Sequence, residues 1–299
     1  MGLIRLGVMY GHLEGAGSDF ARDPTGYLSM EAGIFQKHGL EVSWQRVQGT
    51  EERYRRLEDG RAQISLVVGR ASLKHFLSSK STRILGCAMN RCPYYLVAAP
   101  GISKLEELRN QTVACRQGPS RDAPIAETFK KLAGLTVGKD LALKLPPGDP
   151  DAFDLLVNGN AGGALLPRPF AFIAEERGFR RIAEWPDIVD DPLPITIETT
   201  AKLWRERADD LKKFLAAHGE GIRHFKSRRD EALRVLTQRF GHSESMAKRI
   251  LDDYIVCMDE SLKVDFQQFE KLLSQAAPDS LTDAQPIAAE WIIPGAVQG

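Results

Sequence analysis

The sequence predicts an α/β protein of two comparable lobes followed by a helical C-terminal region, on three observations. In residues 27–70 helix and strand patterns alternate at the spacing of βαβ units, which implies a parallel sheet. A repeat then links the two halves. Leu57-Glu-Asp-Gly60-Arg-Ala62 precedes a buried-strand pattern ending in Gly69-Arg70, and Leu156-Val-Asn-Gly159-Asn-Ala161 precedes another ending in Pro167-Arg168. After Thr200, apolar residues recur at i, i+3 and i+4, the signature of helices packed on a core.

Taken in order, residues 3–10 read as a strand and 11–25 as a polar, glycine-containing loop. A helix over 26–38 ends where Gly39 can accept the left-handed conformation of a helix C-terminus. Residues 40–44 alternate as a strand, Gly49-Thr50 opens a helix through Leu57, and 64–68 is a short β-rich strand. A helix over 71–78 and strands over 82–88 and 93–99 complete the first lobe and lead out of it. The second lobe reads as a short helix 104–109, a strand 112–116, a turn into a helix ending near Gly134, and a strand 141–145. Pro150 then begins a helix, 163–166 is a buried strand, 170–178 is helical and 181–185 extended. The Pro- and Asp-rich segment 185–194 returns the chain to the first lobe, where 195–198 forms a strand. Helices over 208–225, 230–240, 244–258 and 266–275 follow, and the tail, carrying Trp291-Ile-Ile, docks on the surface. The lobes are thus expected to comprise residues 1–92 with 193–299, and 93–192.

A chain of 299 residues is long enough for two domains. Forty basic residues balance forty acidic ones, so no global field favours nucleic acid or a membrane surface. The basic clusters at 53–56 and 226–229 read as solvated helix faces. No apolar run approaches the ~18 residues of a membrane span. The chain opens without a charged and then apolar leader, and Cys87, Cys92, Cys115 and Cys257 lack metal or disulfide spacing. The expected location is therefore cytoplasmic, or periplasmic if a leader has been removed.

Ligands of parallel sheets bind at the carboxyl ends of strands. That rule nominates Tyr10, Gly11 and His12 after the first strand, Gly49 and Thr50 after the second, and Gly69 and Arg70 after the third. The second lobe adds Arg116, Ser120, Arg121 and Arg168, with Gly118 allowing close backbone approach. Arginine grips a carboxylate or sulfonate with two parallel hydrogen bonds, which lysine cannot do. Several strand-end arginines point to an anionic or strongly polar ligand, with Arg70 and Arg168 as counterparts from the two lobes. The bland alternatives are salt bridging for any one arginine, including Arg121 with Asp122, and core or hinge packing for Tyr10, Tyr94 and Tyr95.

Enzyme signals are thin. The six histidines form no metal-binding spacing, residues 118–122 lack the last glycine of a nucleophile elbow, and there is no P-loop. Residues 15–20 carry Phe20 where a dinucleotide fingerprint needs glycine. No cofactor and no metal are expected. If the chain is an enzyme, His12 and Cys115 are the catalytic candidates, because Arg116 beside Cys115 favours a thiolate; a buried structural thiol is the plainer reading.

The runs YLSMEAGIFQKHGLEVSW, LEDGRAQISLVVG, ISKLEELRNQTVACRQG and LLVNGNAGGALLPRPFAFIAEERGFRRIAE follow one another in an order that resembles the nitrate/sulfonate/taurine-type substrate-binding proteins of ABC transporters. Thiamine-pyrimidine-precursor proteins share that order, which spans roughly residues 3–275. The resemblance implies a type II periplasmic-binding-protein fold, with two crossover strands and a ligand closed between the lobes. It implies a solute-binding protein for a small anionic or aromatic molecule of sulfonate, carboxylate or pyrimidine type, working with an ABC permease. The alternatives are a ligand sensor or a cytosolic enzyme on the same fold, a lyase or hydrolase acting on a small aromatic acid. The cysteine-rich iron motif of yeast-type pyrimidine synthases is missing. So is the first-loop cysteine of the aromatic desulfinases.

Overall fold

The strands form two five-stranded sheets, one for each lobe. The structure is a computed structural model and describes residues 2–11, 24–47, 49–89, 91, 94–117, 122–184, 195–276, 289–293 and 295–296. The first lobe runs β1 (Ile4–Gly11), α1 (Thr25–Glu31), α2 (Ile34–Lys37), β2 (Leu40–Val47), α3 (Thr50–Glu58), β3 (Ile64–Val68), α4 (Gly69–Ser79) and β4 (Thr82–Met89). The second runs β5 (Tyr94–Ala98), β6 (Thr112–Cys115), α5 (Asp122–Ala133), β7 (Ala142–Lys144), α6 (Asp149–Val157), β8 (Gly163–Pro167), α7 (Phe170–Glu176) and β9 (Arg180–Glu184). The strand β10 (Ile195–Thr200) re-enters the first sheet, and α8 (Ala201–Ser227), α9 (Arg229–Arg234), α10 (Glu244–Cys257) and α11 (Phe266–Ala276) follow. The expected return segment 185–194 lies outside the described residues.

The sheet orders are β2-β1-β3-β10-β4 and β7-β6-β8-β5-β9. In the first, β1 pairs in parallel with β2 and β3, and β10 lies antiparallel between β3 and β4. In the second, β6 is parallel to β7 and β8, and β5 lies antiparallel between β8 and β9. Each sheet therefore holds one antiparallel crossover strand.

Several elements depart from the sequence pattern for local reasons. The single helix expected over 26–38 breaks in two because Gly33 takes φ +67°, a left-handed value that interrupts the α-helical ladder. The helix expected from 208 begins at Ala201, where Thr200 caps it by accepting a 3.0 Å bond from the Leu203 amide. It then kinks at Arg207. Helix α9 gives way to a π-helical turn over Val235–Arg239. Of the tail, Trp291 does not lie on the surface: it is fully buried, 5.3 Å from the Phe76 ring and 5.4 Å from that of Phe269. An indole buries too much apolar area to be left on a surface once Phe76 and Phe269 offer a slot.

Helix α10 ties the C-terminal region to the second lobe. Arg168, just past β8, is 1% exposed, donates from Nη1 to Asp253 of α10 and stacks over Tyr254 at 3.6 Å. The Tyr95 hydroxyl of β5 donates to the same carboxylate, and Arg249 pairs with Glu175 of α7. At its end, Met258 bridges to Met89 of β4, in the first sheet.

Two predictions follow from this packing. A Cβ on Gly219 of α8 would sit 2.6 Å from the Glu260 carbonyl oxygen. The gain in helix propensity from alanine, about 1 kcal/mol, is then outweighed by an overpacking cost of about 1–3 kcal/mol. Gly219→Ala is expected to lower stability in urea denaturation, where a simple helix-propensity effect would raise it. Asp253→Ala leaves the Arg168 guanidinium charged and enclosed, and a loss of about 3–5 kcal/mol is expected in the same experiment.

Candidate functional site

The parallel strands of the first lobe end level with one another, since Gly11 pairs with Val47 and Tyr10 with Leu66. Helix α3 starts directly after Gly49, whose φ of +81° suits glycine alone, and α4 continues from β3 without a break. Two helix N-termini thus open onto this edge, where amide groups and helix dipoles favour negative charge. The backbone brings Tyr10, Gly11, Gly49, Thr50, Gly69 and Arg70 to this one edge, with Gly69 and Arg70 in the first turn of α4. The side chains of Thr50 and Arg70, and the whole of His12, Gly118, Ser120 and Arg121, lie outside the described residues.

In the second lobe the corresponding edge carries Arg116 after β6, Asp149 at the start of α6 and Tyr94 at the start of β5, opposite Pro167. The buried Asp149 carboxylate accepts from the Tyr94 hydroxyl at 3.2 Å and lies 3.6 Å from Arg116 Nε. Asp149 stands behind Arg116, which keeps a quarter of its side chain exposed while Asp149 keeps none.

Arg168 is placed differently from its expected role. Its charge is taken up by Asp253 and the Tyr254 ring, inside the protein, so the matched position in the repeat does not supply an open second jaw. Tyr94 and Tyr95 are buried in β5, and Tyr10 is buried with its hydroxyl 3.3 Å from that of Tyr27 and its ring against Trp44. All three therefore pack. Cys115 is fully buried, its sulfur 3.5 Å from the Arg116 carbonyl oxygen. Among the described residues no group of three His, Cys, Asp or Glu side chains is arranged to hold a metal ion.

The residue that sequence reasoning missed is Arg53. Within the basic cluster at 53–56, Arg55 and Arg56 do lie on the outer face, paired with Glu52. Arg53 and Tyr54 instead turn inward and are buried. Arg53 donates from Nε to Gly49 O at 3.4 Å and from Nη1 to Leu66 O at 3.3 Å, so it is fixed at the ends of both β3 and the β2–α3 turn. Burial holds its guanidinium below the usual value, Tyr54 and Glu198 act the other way, and the like charge of Arg116 lowers it further. Arg53 of the first lobe thus lies within electrostatic reach of Arg116 of the second. The signal was the spacing: 53, 54 and 57 share one face of a helix that starts at Thr50, and Leu57 marks that face as the inner one.

Beneath α3 and α4, Glu198 of β10 is also buried. It accepts from the Tyr54 hydroxyl at 3.3 Å, from Thr196 Oγ1 at 3.1 Å and from Ser72 Oγ. Burial pushes its carboxyl up to about 8, against the opposing pull of Thr196, Tyr54 and Arg53. Tyr54 in turn stacks on His75 at 3.6 Å.

No protein-family model matches the chain, and no curated protein matches it in sequence. Solved structures share its fold. The aliphatic sulphonate-binding protein SsuA of Escherichia coli superposes with a TM-score of 0.75 at 14% identity, over 92% of this chain and 91% of that one. The alkanesulfonate-binding SsuA of Xanthomonas axonopodis pv. citri, bound to MOPS, gives 0.73 at 11% identity, over 98% and 100%. The nitrate-binding NrtA of Synechocystis PCC 6803 gives 0.71 at 11% identity, over 97% and 86%. With two sheets each crossed by an antiparallel strand, the chain has the type II periplasmic-binding-protein fold that its motif order implied.

Proposed function

We propose that this chain is a solute-binding protein whose two lobes, residues 1–92 with 193–299 and residues 93–192, close on a small organic anion and present it to an ABC-type permease. The observation that carries the reading is the pair Arg53 and Arg116. They come from the strand-end edges of different lobes, and the charge of one bears on the other. An anion between them relieves that repulsion and accepts charge-assisted hydrogen bonds from both sides. The structural neighbours are binding proteins for aliphatic sulphonates, alkanesulfonates and nitrate, which are anions of this kind. Sulfonates and carboxylates fit the pair better than neutral pyrimidines, which have no charge for it to balance. The edge contributed by the first lobe includes the backbones of Gly11, Gly49, Thr50, Gly69 and Arg70; His12, Ser120 and Arg121 are nominated by sequence alone. No helix among the described residues is long and apolar enough to cross a membrane. A role beside a permease places the protein on the periplasmic side.

The test is a thermal-shift screen of small sulfonates, aromatic carboxylates and pyrimidines, with each hit incubated and assayed for chemical change. Anions are expected to raise Tm and to be recovered unaltered. Arg53→Gln and Arg116→Ala are each expected to weaken the best hit by about 10- to 100-fold, the value of one charge-assisted contact. Absence of a shift with every anion overturns the proposal. Turnover of a hit replaces it with an enzyme on this fold.

A further inference from the structure

A groove of 1070 Å³ runs between α8 and the segments that cover β4, and none of the residues placed at the strand-end edges lines it. One wall is a single face of α8, which presents Lys213, Ala216, Glu220 and Arg223 at i, i+3, i+7 and i+10. The other wall is formed by residues 260–264 and 292–293, with Phe266 of α11. It is tied to β4, the last strand of its sheet. The Cys87 amide donates to Leu262 O at 2.9 Å, and the Ile293 amide donates to Ile84 O at 2.9 Å. Backbone hydrogen bonds therefore hold both walls, and the groove is a standing feature of the fold.

The groove has an apolar floor and a rim with one sign of charge in surplus. Leu262 and Ile292 are buried, Val264 and Ile293 are half-buried, and Phe266 is 39% exposed. Two of the lining acids are already committed. Glu220 pairs with Lys37 at 2.7 Å and with His38 at 2.8 Å, and Glu260 pairs with Lys226 at 2.9 Å. These hydrogen bonds hold both carboxyls below their ordinary value. The cations are not committed in the same way. Lys212 lies over the Trp204 ring at 5.9 Å, and Arg223 bears on Glu260 only through its field. Among the described residues neither of them, nor Lys213 nor Lys263, forms an ion pair, and Asp209 is the one lining acid left without one. The chain as a whole balances forty basic against forty acidic residues, so this surplus is local.

We infer that this groove docks an acidic segment of a partner protein, whose apolar side chains take the floor and whose carboxylates meet Lys212, Lys213, Arg223 and Lys263. An apolar surface rimmed by charge of one sign is the form of a protein interaction site, and the charge sets the sign of the partner. The spread of the cations selects a polypeptide over a small anion or a fatty acid. Lys212 and Arg223 stand eleven residues apart on one helix, roughly 16 Å along its axis, and Lys263 faces them from the other wall. A lipid carboxylate or a sulfonate brings a single charge to such a rim. An acidic helix of about three turns brings several, with its apolar stripe turned to the floor. The groove uses no residue of the cleft, so this inference stands or falls apart from the binding reading above.

The decisive measurement is fluorescence anisotropy of a labelled peptide of about twelve residues built from Glu and Leu at helical spacing, titrated with the full chain. Two control peptides of the same length replace Leu by Ser or Glu by Gln. Only the Glu/Leu peptide is expected to bind, and its affinity is expected to fall as salt rises from roughly 0.05 M to 0.3 M. Reversing two rim charges together, Lys213→Glu with Lys263→Glu, is expected to weaken it about tenfold. Phe266→Ser is expected to weaken it several-fold with no change of charge. All three positions are on the surface and form no ion pair among the described residues, and Tm of each variant verifies that it folds. Equal binding of the Glu/Ser peptide, or binding unmoved by both the charge reversal and Phe266→Ser, overturns the inference. Laurate supplies the remaining arm: binding of laurate without binding of the Glu/Leu peptide assigns the groove to a lipid anion and overturns the inference, as does binding of neither.

Discussion

Strand β10 has to cross a sheet that is covered on both faces, and the first lobe is arranged around that constraint. All six of its residues are buried. Alternation sends Ile195 and Ile197 to one face and Thr196 and Glu198 to the other, so polar groups are forced into the interior. Each threonine finds an acceptor or a donor close by: Thr196 bonds Val67 O at 2.9 Å, Thr199 bonds Gln63 O at 2.8 Å, and Thr200 caps α8. Glu198 needs more, and it draws Tyr54 and Ser72 inward. Those two side chains fix α3 and α4, the helices whose starts form the edge of the cleft. The buried acid therefore helps set the position of that strand-end edge, without lying on it.

Two buried arginines show how differently one residue type can be used. Arg168 is neutralised inside the protein, by a carboxylate that also accepts from Tyr95, and its guanidinium plane lies on an aromatic ring. A buried charge held in that way is fixed, and separating α10 from β8 would break an enclosed ion pair. Arg53 is held by the carbonyl dipoles of Gly49 and Leu66 and stands in the field of Arg116.

The fold was legible because its signals are local and repeat. Alternating strands, glycines at helix ends and the Leu57 and Leu156 units all depend on residues a few positions apart, and the strand bounds they imply lie within a few residues of those observed. The failures came where a distant part of the chain decides. The position of Trp291 depends on Phe76 and Phe269, which no window of the tail contains. Gly33 interrupts a helix whose apolar periodicity carries straight through it.

The site was less legible than the fold, for a related physical reason. A strand-end rule places backbones well, and it did place Tyr10, Gly11, Gly49 and Gly69 on one edge. It says nothing of which way a long side chain turns. Arg168 satisfies the rule and is nevertheless held by Asp253, eighty-five positions away. Arg53 violates the rule, being inside a helix in a run of charged residues, yet it reaches back to the strand end through Leu66. Charge density along the sequence hid it, because a basic run reads as a solvated face unless the helical period is counted residue by residue. Glu198 escaped for the complementary reason: an acid at the end of a short strand looks exposed until the strand is known to lie between two others. For an arginine or a glutamate, then, the identity of the flanking element matters more than the residue's own polarity, and that identity is a property of the sheet order.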